Sequence, residues 1–299
     1  MKKTKAKSIH PKKLICIHHN DADGRASAAI VRGAFGKDVH LREMNYGDPV
    51  PWDLIDSAVD VIIVDFSLSR KDMVRLSKEK SLTWIDHHKS AIEELSAYTS
   101  TLQGIRDTSE AACVLTWRYF HPEIEVPRAI ILIGDRDIWR WSESDTGAFN
   151  EGLFNEDTRP HNDKLWEPLL ADDKHALKSL TDKGRVLHEN HLLRIKRTIN
   201  RYGYAIQFEG YRTLAINNRG NGEMGQFIRE KGYQIAYCYV DRIQNDNLMT
   251  FVTLYSDEVD VSEIAKKYHG GGHPGAAGFS FIRDSSPFPR DAQINLIGE

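Results

Sequence analysis

The sequence predicts an α/β protein of two domains, the first built on a mainly parallel sheet with helices on both faces. Three observations lead to that class. Apolar, β-branched runs alternate with helix-period segments through the N-terminal half, the pattern of βα units joined by crossovers. The run Val59-Asp60-Val61-Ile62-Ile63-Val64 is nearly all β-branched, as a strand covered on both faces must be. The length, 299 residues, is enough for two domains that each have a core.

The elements follow in order. Leu14–Ile17 reads as a strand, and Asp23-Gly24 turns into a helix whose small residues, Ala26 to Val31, allow close packing on the sheet. Val39–Arg42 and Val59–Val64 are the next strands, Arg70–Ser77 is an amphipathic helix, and Ser81–Ile85 is a fourth strand. Lys89–Tyr98 is read as helical. Asp107 and Glu110 have capping-box spacing ahead of a helix from Ala111 to Trp117. Val126-Pro127 opens a further helix through Gly134, and Asn155–Asp173 is polar and irregular. Lys174–Asn200 reads as a long helix broken at Gly184. A second α/β unit begins with a hairpin, Tyr204–Glu209 and Arg212–Asn217. It continues with a helix at Gly222–Glu230 and strands at Tyr233–Val240 and Met249–Tyr255, joined by the polar stretch 241–247. A helix at Val261–Tyr268 and a strand over Gly275–Phe281 complete it.

Composition narrows the function. A formal net charge of -3 argues against a protein that grips long nucleic acid through a broad basic surface. The three cysteines, Cys16, Cys113 and Cys238, are far apart in apolar surroundings and read as free thiols of a reducing compartment. Residues 1–13 form a basic tail without the apolar core of a secretory signal. No apolar run approaches the length of a membrane span. The expectation is a soluble cytoplasmic protein.

The chemistry sits where strands run out. His18-His19-Asn20-Asp21-Ala22-Asp23-Gly24 follows the first strand, Asp65 follows the third, and Asp86-His87-His88 follows the fourth. In an open α/β sheet the crevice outside the carboxyl ends of the strands is where ligands bind, so these residues are expected to converge. Carboxylates and imidazoles without cysteine suit Mn²⁺ or a similar ion. In extended chain Asp21, Asp23 and His19 point to one side, and His18, on the other, stands as a substitute. Two acids, Asp135 and Asp137, end the apolar helix from Ala129. Side chains two apart on a helix point nearly opposite ways, so one of them faces inward, and Asp135 is preferred. Downstream, Gly270, Gly271 and Gly272 expose backbone N–H groups that can approach an anion, and His273 adds a donor. Asn217, Asn218 and Arg219 end a strand and are further substrate contacts.

These motifs together resemble those of the DHH phosphoesterases. Asp86-His87-His88 resembles the signature triplet, His19 to Gly24 the first motif and Val64-Asp65-Phe66 the second. Gly270 to Phe279 is similar to the glycine-rich motif of the DHHA1 domain that commonly follows. The resemblance covers about Leu14 to Ile282. It implies a DHH domain over residues 14–173, a helical linker over 174–203, a smaller α/β DHHA1 domain over 204–299, and an active site in the cleft between the domains. It also implies two divalent ions, Mn²⁺ with Mg²⁺ or Co²⁺ as alternatives. Asp21 with His19 would hold one. Asp23, His87 and the fourth-motif acid, Asp135 or Asp137, would hold the other, with Asp65 bridging. Asp86 would be a ligand or fix an imidazole, and His88 would contact phosphate or act as general acid. The implied activity is hydrolysis of short single-stranded oligonucleotides or dinucleotides to mononucleotides. Cyclic dinucleotides and 3′-phosphoadenosine 5′-phosphate are the alternative substrates, and a silent nucleotide-binding protein is the non-enzymatic one. A homodimer is left open.

Overall fold

Burial of the first strands on both faces sets the architecture of the N-terminal unit. The computed structural model describes residues 14–99, 102–244, 246–283 and the backbone of 295–296, so the basic tail lies outside the described residues. Four parallel strands, β1 (Leu14–His19), β2 (His40–Met44), β3 (Asp60–Val64) and β4 (Ser81–Ile85), form one sheet in the order β2-β1-β3-β4. Ile15, Ile17, Val61, Ile63, Leu82 and Trp84 point to one face. There they meet α2 (Trp52–Ser57), α3 (Arg70–Glu79) and α4 (Lys89–Glu94), and the short α5 (Ser96–Thr99) follows α4. Cys16, Ile62, Val64 and Ile85 point to the other face, against α1 (Ala22–Phe35) and α6 (Ala112–Phe120). Both faces are therefore covered by helices, as expected.

A helical layer completes this unit: α7 (Arg128–Asp137), α8 (Thr146–Leu153), α9 (Asp163–Leu170) and the start of α10 (Lys174–Tyr202). The stretch 155–173, expected to be irregular, contains α9, whose Trp166 and Leu169 are buried in the helical core despite Pro168. Nor is α10 broken at Gly184. A Cβ there would lie 1.8 Å from the Ala148 carbonyl oxygen, so the glycine is the contact through which α8 and α10 touch backbone to backbone.

The chain divides into two units within α10, at His188/Glu189. The second unit comprises β5 (Tyr204–Phe208), β6 (Tyr211–Asn217), α11 (Gly222–Glu230), β7 (Ile235–Gln244), β8 (Asn247–Tyr255), α12 (Val261–Lys267), β9 (Gly271–His273), β10 (Ala276–Ile282) and β11 (Asn295–Leu296). The sheet order is β11-β5-β6-β7-β8-β10-β9, and β6 and β7 are parallel while the other pairs are antiparallel. One face packs on α12 and the other on α11 with Ile195 and Ile199 of α10. Of the polar stretch 241–247, expected to join β7 and β8, Asp241 to Gln244 belong to β7 and Asn247 to β8, and the two strands pair out to Gln244 and Asn247. The glycine motif is also strand: Gly271–His273 is an edge strand hydrogen-bonded to β10. Among the described residues, no helix is long and apolar enough to cross a membrane.

Candidate active site

Parallel register brings the chemistry together. β1, β3 and β4 are neighbours, and the residues at or just past their carboxyl ends are His19, Asp65 and Asp86. Asp65 takes a left-handed backbone (φ 51°) and donates its N–H to the Ile85 carbonyl, which turns its side chain in at the end of the sheet. The chain after β1 does not stay extended. Asp21 caps α1 by accepting from the Gly24 N–H, and Asp23 lies inside the first turn. The two carboxylates consequently serve different neighbours.

Among the described residues, three groups have ligand atoms close enough to share an ion: His19, Asp21 and Asp65; Asp65, His87 and His88; and Asp23, His87 and Asp137. His87 Nε2 sits 3.3 Å from Asp65, 3.4 Å from Asp137 and 3.7 Å from Asp23. His19 Nδ1 is 2.7 Å from Asp21 and 3.9 Å from Asp65. Asp65 and His87 thus link the groups into one cluster. His18 is buried beneath it, its Nδ1 against the His19 carbonyl.

Asp137, not the preferred Asp135, joins the cluster. The two acids diverge on α7, the exposed Asp137 reaching His87 and the buried Asp135 turning to the chain after the helix. Asp135 is buried and accepts from the Ser142 N–H and hydroxyl, the Glu143 N–H and the Thr146 hydroxyl. Burial opposes its ionisation, but these hydrogen bonds outweigh that effect and hold its pKa below the usual carboxylate range. It organises the chain after α7. The sequence signal for Asp137 was its position four and seven residues beyond Ile133 and Ile130, both buried.

Asp86 lies outside the three groups. One of its oxygens accepts from the His87 and His88 N–H groups and from His88 Nδ1, at 2.8, 3.2 and 2.7 Å. Asp23 has a second task as well. Its two oxygens accept from the Ala112 and Cys113 N–H groups, capping α6 across the fold. The capping box expected at Asp107–Glu110 does not form, since Asp107 bonds Ser109 instead.

The electrostatics are those of crowded acids. Burial, then Asp23 and the other carboxylates, push the Asp65 pKa well up, and burial with Asp23 does the same to Asp137. Burial would raise Asp21 too, but the His19 hydrogen bond reverses this and sets it at about 2. Burial lowers His87, leaving a neutral imidazole. For His88 burial is overcome by the Asp86 hydrogen bond, and the pKa rises. Asp65 Oδ2 is buried with no hydrogen-bond donor among the described residues. An orphaned carboxylate oxygen between further acids and imidazoles is what a divalent cation satisfies, so these residues fit such an ion.

In the second unit, Asn218, Arg219 and Gly270 line one pocket of about 690 Å³ on the sheet. Its lining also includes Arg242, stacked 4.0 Å from the Phe251 ring, which the sequence reading missed because 241–247 had looked like a loop. Gly270 and Gly272 are required by close approach, since a Cβ on either would strike the backbone of β10. Gly271 has open space, and His273 pairs with Ala276 in the strand.

No family model matches the chain. A search of curated proteins finds uncharacterized protein R106 of Acanthamoeba polyphaga mimivirus, 26% identical over 250 residues and 80% of this chain. The match spans only 57% of that relative's length. Oligoribonuclease NrnB of Bacillus subtilis is 21% identical over 88% of this chain and 71% of its own. Among solved structures, the DHH domain of a member of the s1p family of ribosomal proteins aligns with a TM-score of 0.57, at 15% identity over 91% of this chain and 83% of the other. The pGpG-specific phosphodiesterase PggH from Vibrio aligns with a TM-score of 0.52, at 15% identity over 91% and 94%. The chain has the fold of the DHH/DHHA1 two-domain proteins.

Proposed function

We propose that the protein is a divalent-metal-dependent phosphodiesterase that cleaves short linear oligonucleotides, down to dinucleotides, into mononucleotides. The observation that carries this reading is the linked cluster His19, Asp21, Asp23, Asp65, His87 and Asp137 at the carboxyl ends of the parallel strands. Two ions, Mn²⁺ by preference, would be held there, one by His19, Asp21 and Asp65 and the other by Asp23, His87 and Asp137. Bound ions of this kind supply an acidified water and neutralise charge on the phosphate. The remaining work falls to the protein. Asp86 fixes the Nδ1 side of His88, so proton exchange with the substrate falls to Nε2, and the raised pKa favours the protonated ring. That suits contact with a phosphate oxygen or protonation of the leaving oxygen. Within the second unit, Asn218, Arg219 and Arg242 line a pocket whose guanidinium groups suit an anionic or polar group. The similarity to an oligoribonuclease and a pGpG phosphodiesterase favours linear over cyclic substrates. Buried free thiols at Cys16, Cys113 and Cys238 accord with the reducing cytoplasm.

The test is a panel of a labelled dinucleotide, a longer oligomer, a cyclic dinucleotide and 3′-phosphoadenosine 5′-phosphate, each assayed with Mn²⁺ and after chelation. Dinucleotide hydrolysis that disappears on chelation and returns with Mn²⁺ is expected. Undiminished activity in chelator overturns the metal reading, and preference for a cyclic or nucleoside-bisphosphate substrate overturns the substrate reading.

A further inference from the structure

Tyr46 is an exposed aromatic fixed against the candidate metal cluster, and none of the assigned roles uses it. Its placement follows from register. Met44, the last residue of β2, pairs with His19, so the chain just past β2 stands beside the first motif. A tight turn then holds Tyr46: the Asp48 N–H bonds the Asn45 carbonyl, the Asp48 carboxylate accepts from the Asn45 N–H, and Gly47 supplies a φ of 95°. The ring packs 4.7 Å from Phe66, the buried residue after Asp65. Its centroid is 5.8 Å from the His19 ring and 6.2 Å from the His88 ring. Yet 56% of the residue is open to solvent. Among the described residues with exposed large aromatic side chains, Tyr46 is the one in ring contact with imidazoles of the cluster.

We propose that Tyr46 is a stacking platform for the nucleobase next to the scissile phosphate, making the substrate a phosphodiester that bears a base at that position. This rests on the phosphodiesterase reading above. A nucleotide needs two unlike things, cationic charge for its phosphate and a π-face for its base. The acidic cluster, loaded with ions, offers the first, and a base one sugar away reaches the neighbouring ring. Stacking on an aromatic face tolerates any base, which suits an enzyme that degrades short oligomers of mixed sequence. The turn orders the ring before substrate arrives, which lowers the entropy cost of binding.

The experiment compares a dinucleotide with two analogues, each lacking one base, on the Mn²⁺-loaded full chain and its Tyr46→Ala and Tyr46→Phe variants. For Tyr46→Ala, KM for the dinucleotide is expected to rise about ten-fold or more, the size of one lost stacking contact, with kcat and bound metal near wild type. One of the two base-lacking analogues should already show the raised KM with the wild type and be insensitive to the substitution. Tyr46→Phe should behave as wild type. Three results overturn the inference alone while the wild type cleaves the dinucleotide: an unchanged KM, an equal loss on both analogues, or loss of bound metal. The last two would make Tyr46 a positioning residue for His19 and His88. A wild-type protein that cleaves none of the three substrates overturns the phosphodiesterase reading itself and the inference with it.

Discussion

Two acids on one helix divide the labour of the site. Asp137→Ala should deplete bound metal and reduce turnover by orders of magnitude, because it removes a carboxylate from the group with Asp23 and His87. Asp135→Ala should leave metal content near wild type and lower the melting temperature. It strands the Ser142 and Glu143 N–H donors, at a cost of about 3 kcal/mol. Metal analysis and thermal melts on both variants decide the matter, and depletion in Asp135→Ala alone would reverse the assignment. Most of the cluster was legible, because strand ends announce themselves by the switch from apolar to acidic residues. Asp135 was misjudged for a physical reason. Both acids lie past the same apolar run, and what distinguishes them is the chain at 142–146, whose donors come from residues with no pattern of their own. Tyr46 was invisible because its relevance depends on the pairing of Met44 with His19, a register that no local pattern reveals.

At the level of elements, buried strands and amphipathic helices could be read directly, whereas contacts between backbones could not. β1, β3 and β4 carried nearly continuous apolar runs, and α3 a clear 3.6-residue period. The polar stretch 155–173 hid α9, since the helix is only eight residues long and contains a proline. Gly184 misled because a glycine within a helical pattern commonly signals a weak point. The structure gives it a different meaning, and a substitution separates the two. Gly184→Ala would gain about 1 kcal/mol of helix propensity if the glycine were merely a weak point. Against that, its Cβ would sit 1.8 Å from the Ala148 oxygen and 2.4 Å from the Gly152 nitrogen, and backbone atoms of a neighbouring helix cannot swing aside. Overpacking of this kind costs roughly 1–3 kcal/mol or more. The net expectation is a lower midpoint in urea or heat, and a raised one would show that α8 and α10 are not in close contact.

Across the whole molecule, the charge balance bears on substrate length. Acidic and basic residues nearly cancel, with a net of -3, which argues against a broad basic surface that grips a long chain. A protein that neutralises many phosphates loses about 10³–10⁵ in affinity between 50 and 200 mM salt. Here the apparent affinity for a dinucleotide should fall by less than about ten-fold over that range, since few phosphates are neutralised by side chains. Steady-state KM measured across a salt series checks this, and a steep decline would reveal an extended grip on longer chains. The two-unit organisation was evident from length and from the change of pattern after residue 203. The division inside α10 was not, because a continuous helix shows no punctuation where its packing partners change.

The capping of α6 by Asp23 carries a consequence for how this sequence can vary. A carboxylate that already receives two N–H groups is oriented before any ion arrives, and the donors also draw charge from it, making it a softer grip from which an ion can exchange. Its orientation is therefore hostage to residues that have no chemistry at all. Replacing Cys113 with proline would remove one of the two N–H donors that fix the Asp23 carboxylate. The ligand field would be disturbed from a place that no reading of the acidic motifs would mark as sensitive.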